Sequence, residues 1–155
     1  MFDRFILTEL SNSMIINTAK TFDAKGWIQQ NDDYCYLKID DRFIHSIYPL
    51  LAEYGDIEIP DYFNPPDHVG AHISVIYPEE RVRPSPENMG QIHTFHVCKL
   101  IKAQYGLTEY YALSVESASL NGLRRTHQLS PKPTFKGQKI MFHITVGVKI
   151  LDVLF

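Results

Sequence analysis

The chain is short of several features that commonly announce a function. It holds only two cysteines, Cys35 and Cys98, without CxxC or ligand-like spacing; this excludes a disulfide framework and leaves both as free thiols. No apolar run approaches the length that crosses a bilayer, and Met1-Phe2-Asp3-Arg4 lacks the basic-then-apolar order of a secretory signal. A soluble, cytoplasmic protein with no membrane partner is therefore expected. There is no His-Glu-x-x-His, no Gly-x-Ser-x-Gly elbow and no phosphate-cradling glycine loop, so zinc proteases, α/β-hydrolases and P-loop enzymes lose their usual marks. Positive charge is scarce too: 15 Lys and Arg stand against 18 Asp and Glu, a net charge of -3. Long duplex nucleic acid is thereby an unsuitable partner, since such binding rests on neutralising many phosphates.

What is present is 155 residues, 45% of them apolar, enough for one domain over residues 1–155 with a substantial core. The charge is unevenly spread. Residues 1–80 carry five Lys/Arg and fourteen Asp/Glu, whereas residues 81–140 carry nine and three, so affinity for anions belongs to the second half.

The strongest signal is a tetrapeptide that occurs twice, His72-Ile73-Ser74-Val75 and His143-Ile144-Thr145-Val146. Seven histidines in this composition give roughly one His-x-[Ser/Thr] by chance, and a following Val lowers that to a few hundredths. Both occurrences here have Ile in the middle and Val at the end. In an extended strand successive side chains point to opposite faces. Each copy thus offers an imidazole and a hydroxyl to one face and two aliphatic groups to the other. Two such strands across a cleft would supply paired histidines and hydroxyls, the groups that acid–base cleavage of a phosphodiester needs. The competing reading is two buried strands that each carry a structurally satisfied histidine.

Other groups are weaker. His68 and His72 have metal-ligand spacing only if helical, but the segment reads as strand and no carboxylate or thiolate completes a set; no metal is expected. His93 and His96 fall on opposite faces of a strand, and His45 sits among apolar neighbours. Arg124, Arg125, Lys132 and Lys136 are the candidate phosphate-binding cations. Tyr77 and Phe135 are candidates for stacking on a base, although aromatic packing in the core or at a loop base is the favoured reading of each.

For the elements, apolar spacing predicts an amphipathic helix from about Phe5 to Thr21, broken or loosened around Ser11 to Ser13, and Gly26–Ile39 reads as a strand or hairpin with a polar turn at Asn31-Asp32-Asp33. A helix from Arg42 to Tyr54 should be kinked or split by Pro49 and ended by Gly55. Residues 60–67 read as loop, Val69–Tyr77 as the first motif strand, and His93–Gln104 and Tyr110–Ala118 as two more. Asn121-Gly122 signals a turn, Leu123–Leu129 a short strand, Pro131–Lys139 a loop or short helical link, and Ile140–Leu151 the strand of the second motif. The class is α+β with mainly antiparallel sheet.

On these residues the chain resembles the two-histidine (2H) phosphoesterase superfamily, whose mark is a pair of His-x-[Thr/Ser]-x motifs. Tyr36-Leu-Lys-Ile-Asp-Asp-Arg-Phe-Ile-His and Gly70-Ala-His-Ile-Ser-Val-Ile-Tyr-Pro-Glu-Glu are similar to its small bacterial and phage, RNA-repair-like branch. The resemblance implies a bilobal α+β fold in which two antiparallel half-sheets with flanking helices face a central cleft, one motif on each side. It implies cofactor-free and metal-free phosphodiesterase chemistry on 2′,3′-cyclic phosphates, 2′-5′ linkages, RNA 3′ ends or related small nucleotides. His72 and His143 would be catalytic, and Ser74 and Thr145 would hold the phosphate. His143 is written as the base and His72 as the acid, a pairing that pseudo-symmetry makes reversible, with a pH profile centred near neutrality from unperturbed imidazole. Two alternatives stay open: a phage-type phosphodiesterase of cyclic oligonucleotide signals, and a nucleotide-binding module that holds a phosphate without turning it over.

Overall fold

The computed structural model describes residues 4–60 and 69–151. In chain order the elements are β1 (Ile6–Leu10), α1 (Ser13–Ala19), β2 (Lys25–Asn31), β3 (Tyr34–Ile39), α2 (Arg42–His45), a 3-10 helix at Tyr48–Tyr54 and β4 (His72–Ile76). Short 3-10 turns at Pro78–Glu80 and Pro86–Asn88 lead to β5 (Ile92–Thr94), β6 (His96–Tyr105) and β7 (Thr108–Glu116). Then follow α3 (Ala118–Thr126), the small hairpin β8 (Thr134–Phe135) and β9 (Gln138–Lys139), and β10 (His143–Ile150).

The strands form two four-stranded antiparallel sheets, ordered β1-β6-β7-β10 and β4-β3-β2-β5. The first motif lies on β4, at the edge of the second sheet, and the second motif on β10, at the edge of the first. β10 and β4 pack against each other. This is the expected α+β arrangement of two half-sheets. The aliphatic residues of both motifs, Ile73, Val75, Ile144 and Val146, are fully buried, in one core with Phe43, Leu37, Leu51 and Leu113. Each such side chain contributes roughly 1.5–3 kcal/mol of burial, so the alternation that sends hydroxyl and imidazole the other way is firmly anchored. Among the described residues no helix is long and apolar enough to cross a membrane.

The elements depart from the sequence expectations in four places. The helix expected from Phe5 to Thr21 is a strand followed by a short helix, the two parting at the expected break near Ser11 to Ser13. Asn12 caps α1, its Oδ1 accepting from the Ile15 amide at 3.0 Å, while residues 6–10 pair with β6 from Ile6↔Gln104 to Leu10↔Leu100. Ladder bonds to a distant strand here outweigh local helical spacing. The strand expected over His93–Gln104 is interrupted at Phe95, where the chain passes from one sheet to the other and the Phe95 ring enters the core.

Asn121-Gly122 is not a turn and Leu123–Leu129 not a strand: both fall in or next to α3. Ser117 caps that helix, accepting from the Leu120 amide at 3.2 Å, and Leu120, Leu123 and Arg124 form its buried face. Finally, Pro131–Lys139 contains the β8–β9 hairpin. Lys136 and Gly137 at its tip both have positive φ (52° and 75°), as a two-residue turn between twisted strands requires. The split of the Arg42–Tyr54 helix ahead of Pro49 and its end at Gly55 (φ 119°) follow expectation. The loop expected at 60–67, apart from Pro60, lies outside the described residues, as does His68.

Candidate active site

Both motif strands present their polar face to one cavity of about 350 Å3 between the sheets. His72 and Ser74 line it from β4, His143 and Thr145 from β10, Tyr34 from β3, Tyr77 from just after β4 and Phe135 from β8. Much of the rest is aliphatic or aromatic, including Leu7, Ile101, Ala103 and Ala112. A concave, mainly apolar site with a few convergent polar groups suits a small organic ligand.

The two histidines are held alike. His72 Nδ1 bonds the Gly70 carbonyl at 2.7 Å and His143 Nδ1 bonds the Met141 carbonyl at 2.9 Å, in each case two residues back along the chain. A carbonyl only accepts, so each Nδ1 carries a hydrogen and Nε2 is the atom that gains and loses a proton. This repeated contact fixes tautomer and ring orientation on both walls.

Gly70 is the only residue type that fits its place comfortably. Its φ is +70°, and a Cβ there would come within 2.5 Å of Asp41 Oδ1 and 2.7 Å of Lys38 Nζ. The same Asp41 oxygen accepts from the Ala71 amide at 3.0 Å and from Lys38 Nζ at 2.5 Å, and Lys38 also donates to the Ala71 carbonyl at 3.2 Å. Asp41 and Lys38 thereby brace the turn whose carbonyl aims His72. On the other wall a β-bulge falls between Thr145 and Gly147, directly after the second motif, a common place for a strand to re-aim side chains.

Electrostatics separate the pair. Burial pushes His72 down to about 4; the charges of His143 and Lys38 add to this, and the Gly70 carbonyl opposes it. Burial also lowers His143, opposed by the Met141 carbonyl. A proton on His143 therefore makes one on His72 harder to add.

Of the expected cations, Arg124 requires correction. It is fully buried and does not line the cavity. It pairs in a fork with Glu80 (Nη1–Oε1 2.9 Å, Nη2–Oε2 2.6 Å) and donates to the carbonyls of Val75, Ser130 and Lys132. With its donors so engaged it ties α3 to β4 and cannot also hold a phosphate. Arg125 and Lys132 are exposed and do not line the cavity. Lys136 lies at the rim: its ammonium sits 5.3 Å from the Phe135 ring centre and 4.9 Å from that of Tyr105. Its backbone N–H and that of Gly137 donate to the Glu79 carboxylate, the latter at 3.0 Å, which clips the hairpin over the cleft wall.

Tyr77 and Phe135 stack on each other, centroids 4.6 Å apart. They form one continuous apolar surface rather than two jaws. Sequence reading passed over Tyr34, Tyr36 and Lys38. Their period-two spacing was visible; what was not visible is that β3 pairs with β4 in the register Tyr36↔Ser74 and Lys38↔His72, which sets this polar row beside the first motif. Among the described residues no group of three His, Cys, Asp or Glu gathers closely enough to hold a metal ion.

Two antiparallel half-sheets facing a cleft, each contributing a His-x-[Ser/Thr] strand, define a protein of the two-histidine phosphoesterase type. Residues 35–154 match the family described as Swiss Army Knife, 2H phosphoesterase domain, and the chain belongs to that family. No curated protein and no solved structure matches it. The match begins within β3 and takes in both motifs, and it supports a phosphoester-hydrolysing activity in general.

Proposed function

We propose that the protein is a metal-independent phosphodiesterase that hydrolyses a 2′,3′-cyclic phosphate, a 2′-5′ linkage or a related small nucleotide or RNA 3′ end by general acid–base catalysis. The observation that carries this reading is the convergence of His72, Ser74, His143 and Thr145 on one cavity. One imidazole, neutral, takes a proton from the attacking water; the other, protonated, gives one to the departing ribose oxygen. Each transfer is worth roughly a hundred- to ten-thousand-fold. The hydroxyls of Ser74 and Thr145 donate to the phosphoryl oxygens as charge builds on them.

The mutual repulsion of the rings favours the state with a single proton on the pair, which is the state the reaction needs. The charges of His143 and Lys38 both bear on His72, and burial lowers both rings. The pseudo-symmetry of the two walls leaves the roles reversible, with His143 as base and His72 as acid or the reverse. The Tyr77–Phe135 surface takes the base of the nucleotide, and Lys136 at the rim balances phosphate charge.

The test is turnover of 2′,3′-cyclic AMP by the wild type and by the His72→Ala and His143→Ala variants. Either substitution should lower kcat by at least about a hundredfold with the circular dichroism spectrum unchanged, and EDTA should leave the wild-type rate as it is. Wild-type activity abolished by EDTA, or retained in both variants, defeats the reading. A parallel panel of cyclic dinucleotides and trinucleotides separates a small-nucleotide substrate from a cyclic signal, and calorimetric binding without product would mark a module that only holds phosphate.

A further inference from the structure

Ser74 and Thr145 hold equivalent places in the two motifs, yet their hydroxyls have different company. Ser74 Oγ shares a short hydrogen bond with the Tyr34 hydroxyl. Among the described residues Thr145 makes no side-chain hydrogen bond. Tyr34 opens β3 on the cleft side and lines the cavity. Among the described residues its ring packs against Tyr36 at 5.2 Å, His72 edge-on at 6.0 Å and Tyr77 stacked at 6.2 Å. The phenol is therefore held where it meets Ser74.

A serine hydroxyl has one proton to give and lone pairs to receive with. Beside an anionic phosphoryl oxygen, the low-energy arrangement spends that proton on the anion and receives another hydrogen bond from behind. A phenol, with an ordinary pKa of about 10, is a stronger acid than an aliphatic alcohol and is suited to be the rear donor. Bonds chained this way polarise one another in a low-dielectric site.

We propose that Tyr34 is a positioning residue for the reaction: its O–H donates to Ser74 Oγ and commits the single Ser74 proton to the phosphoryl oxygen. The inference rests on reading the cleft as a phosphodiesterase site. It makes the two walls unequal, with the Ser74 donor preset and the Thr145 donor set only when the ligand arrives.

The experiment is a double-mutant cycle on 2′,3′-cyclic AMP with Tyr34→Phe, Ser74→Ala and the pair. Phenylalanine keeps the ring contacts and removes only the hydroxyl, so the thermal transition should stay put. Tyr34→Phe should lose roughly tenfold, mainly in kcat, because the contact strengthens as charge develops. In a Ser74→Ala background the same change should cost nothing further, whereas with Thr145→Ala the losses should multiply. Wild-type speed in Tyr34→Phe, or losses that multiply with Ser74→Ala, overturns the role. If the nucleotide is bound but not cleaved, the same cycle is read from Kd. A wild type that neither binds nor cleaves it removes the reading of the cleft and this inference together; cleavage undiminished in Tyr34→Phe removes only the inference.

Discussion

Replacing Arg124 separates two roles that make opposite predictions. In Arg124→Met the aliphatic stem keeps its place in the buried face of α3, but five donor contacts vanish: two to Glu80 and one each to the carbonyls of Val75, Ser130 and Lys132. Glu80, whose side chain is 4% exposed, then keeps the Tyr77 amide at 3.0 Å but no counter-charge. Stranding one member of a buried ion pair costs about 3–5 kcal/mol, a large part of the 5–15 kcal/mol that holds a typical domain together. At about 2–4 °C per kcal/mol for a chain near this size, the thermal midpoint should fall by roughly 6–20 °C.

Urea and thermal unfolding followed by circular dichroism would measure it. Because the penalty is the lone charge rather than the lost pair, Arg124→Met with Glu80→Gln should recover at least half of the loss. At a temperature where the single variant is folded, its affinity for inorganic phosphate should be unchanged within a few-fold. A variant as stable as the wild type within about 1 kcal/mol, yet blind to phosphate, would refute the buried strut and restore Arg124 to the cleft.

Three further outcomes follow from the same geometry. The folded pKa of His72, about 4, lies below the usual 6.5, so the unfolded chain binds this proton first. Stability should be intact above pH 6.5 and fall as the pH drops to 4, by about 3 kcal/mol from this ring at 1.36 kcal/mol per unit; His72→Gln should flatten that stretch of the urea-midpoint profile. With both rings lowered, the kcat/KM profile should peak below pH 6.5 instead of near neutrality, and a peak at 7 or above would contradict the depressed values. Gly70→Ala must place a Cβ 2.5 Å from Asp41 Oδ1 at a φ of +70°. It should cost about 2 kcal/mol and lower turnover more than tenfold by spoiling the carbonyl that aims His72, so an unimpaired rate would show that the Nδ1 contact is dispensable.

Part of this protein was legible before any coordinates. The two tetrapeptides gave the strands, the inward faces of Ile73, Val75, Ile144 and Val146, and the pairing of imidazole with hydroxyl. Pro49 and Gly55 marked the broken and ended helix. The failures share one cause. Residues 6–10 are a strand because β6 offers them a ladder, and Asn121-Gly122 bends nowhere because Ser117 starts a helix whose far face finds the core. In each case a partner distant in sequence outweighed a local preference.

The charge asymmetry misled in an instructive way. Arg124 belonged to the basic second half, but an amino-acid count does not say which guanidinium a buried carboxylate will claim. Lys38, from the acidic half, is the cation whose charge bears on His72.

The sequence by itself determined the chemistry on offer, because side-chain alternation along a strand is a property of the backbone at that spot and needs no neighbour. Tertiary structure alone decided which groups share the cleft. The register of β3 on β4 brought Tyr34 to Ser74 and Lys38 to His72, and the approach of β10 to β4 let one imidazole's charge act on the other. Those are distances between strands far apart in the chain, and only the packed core sets them.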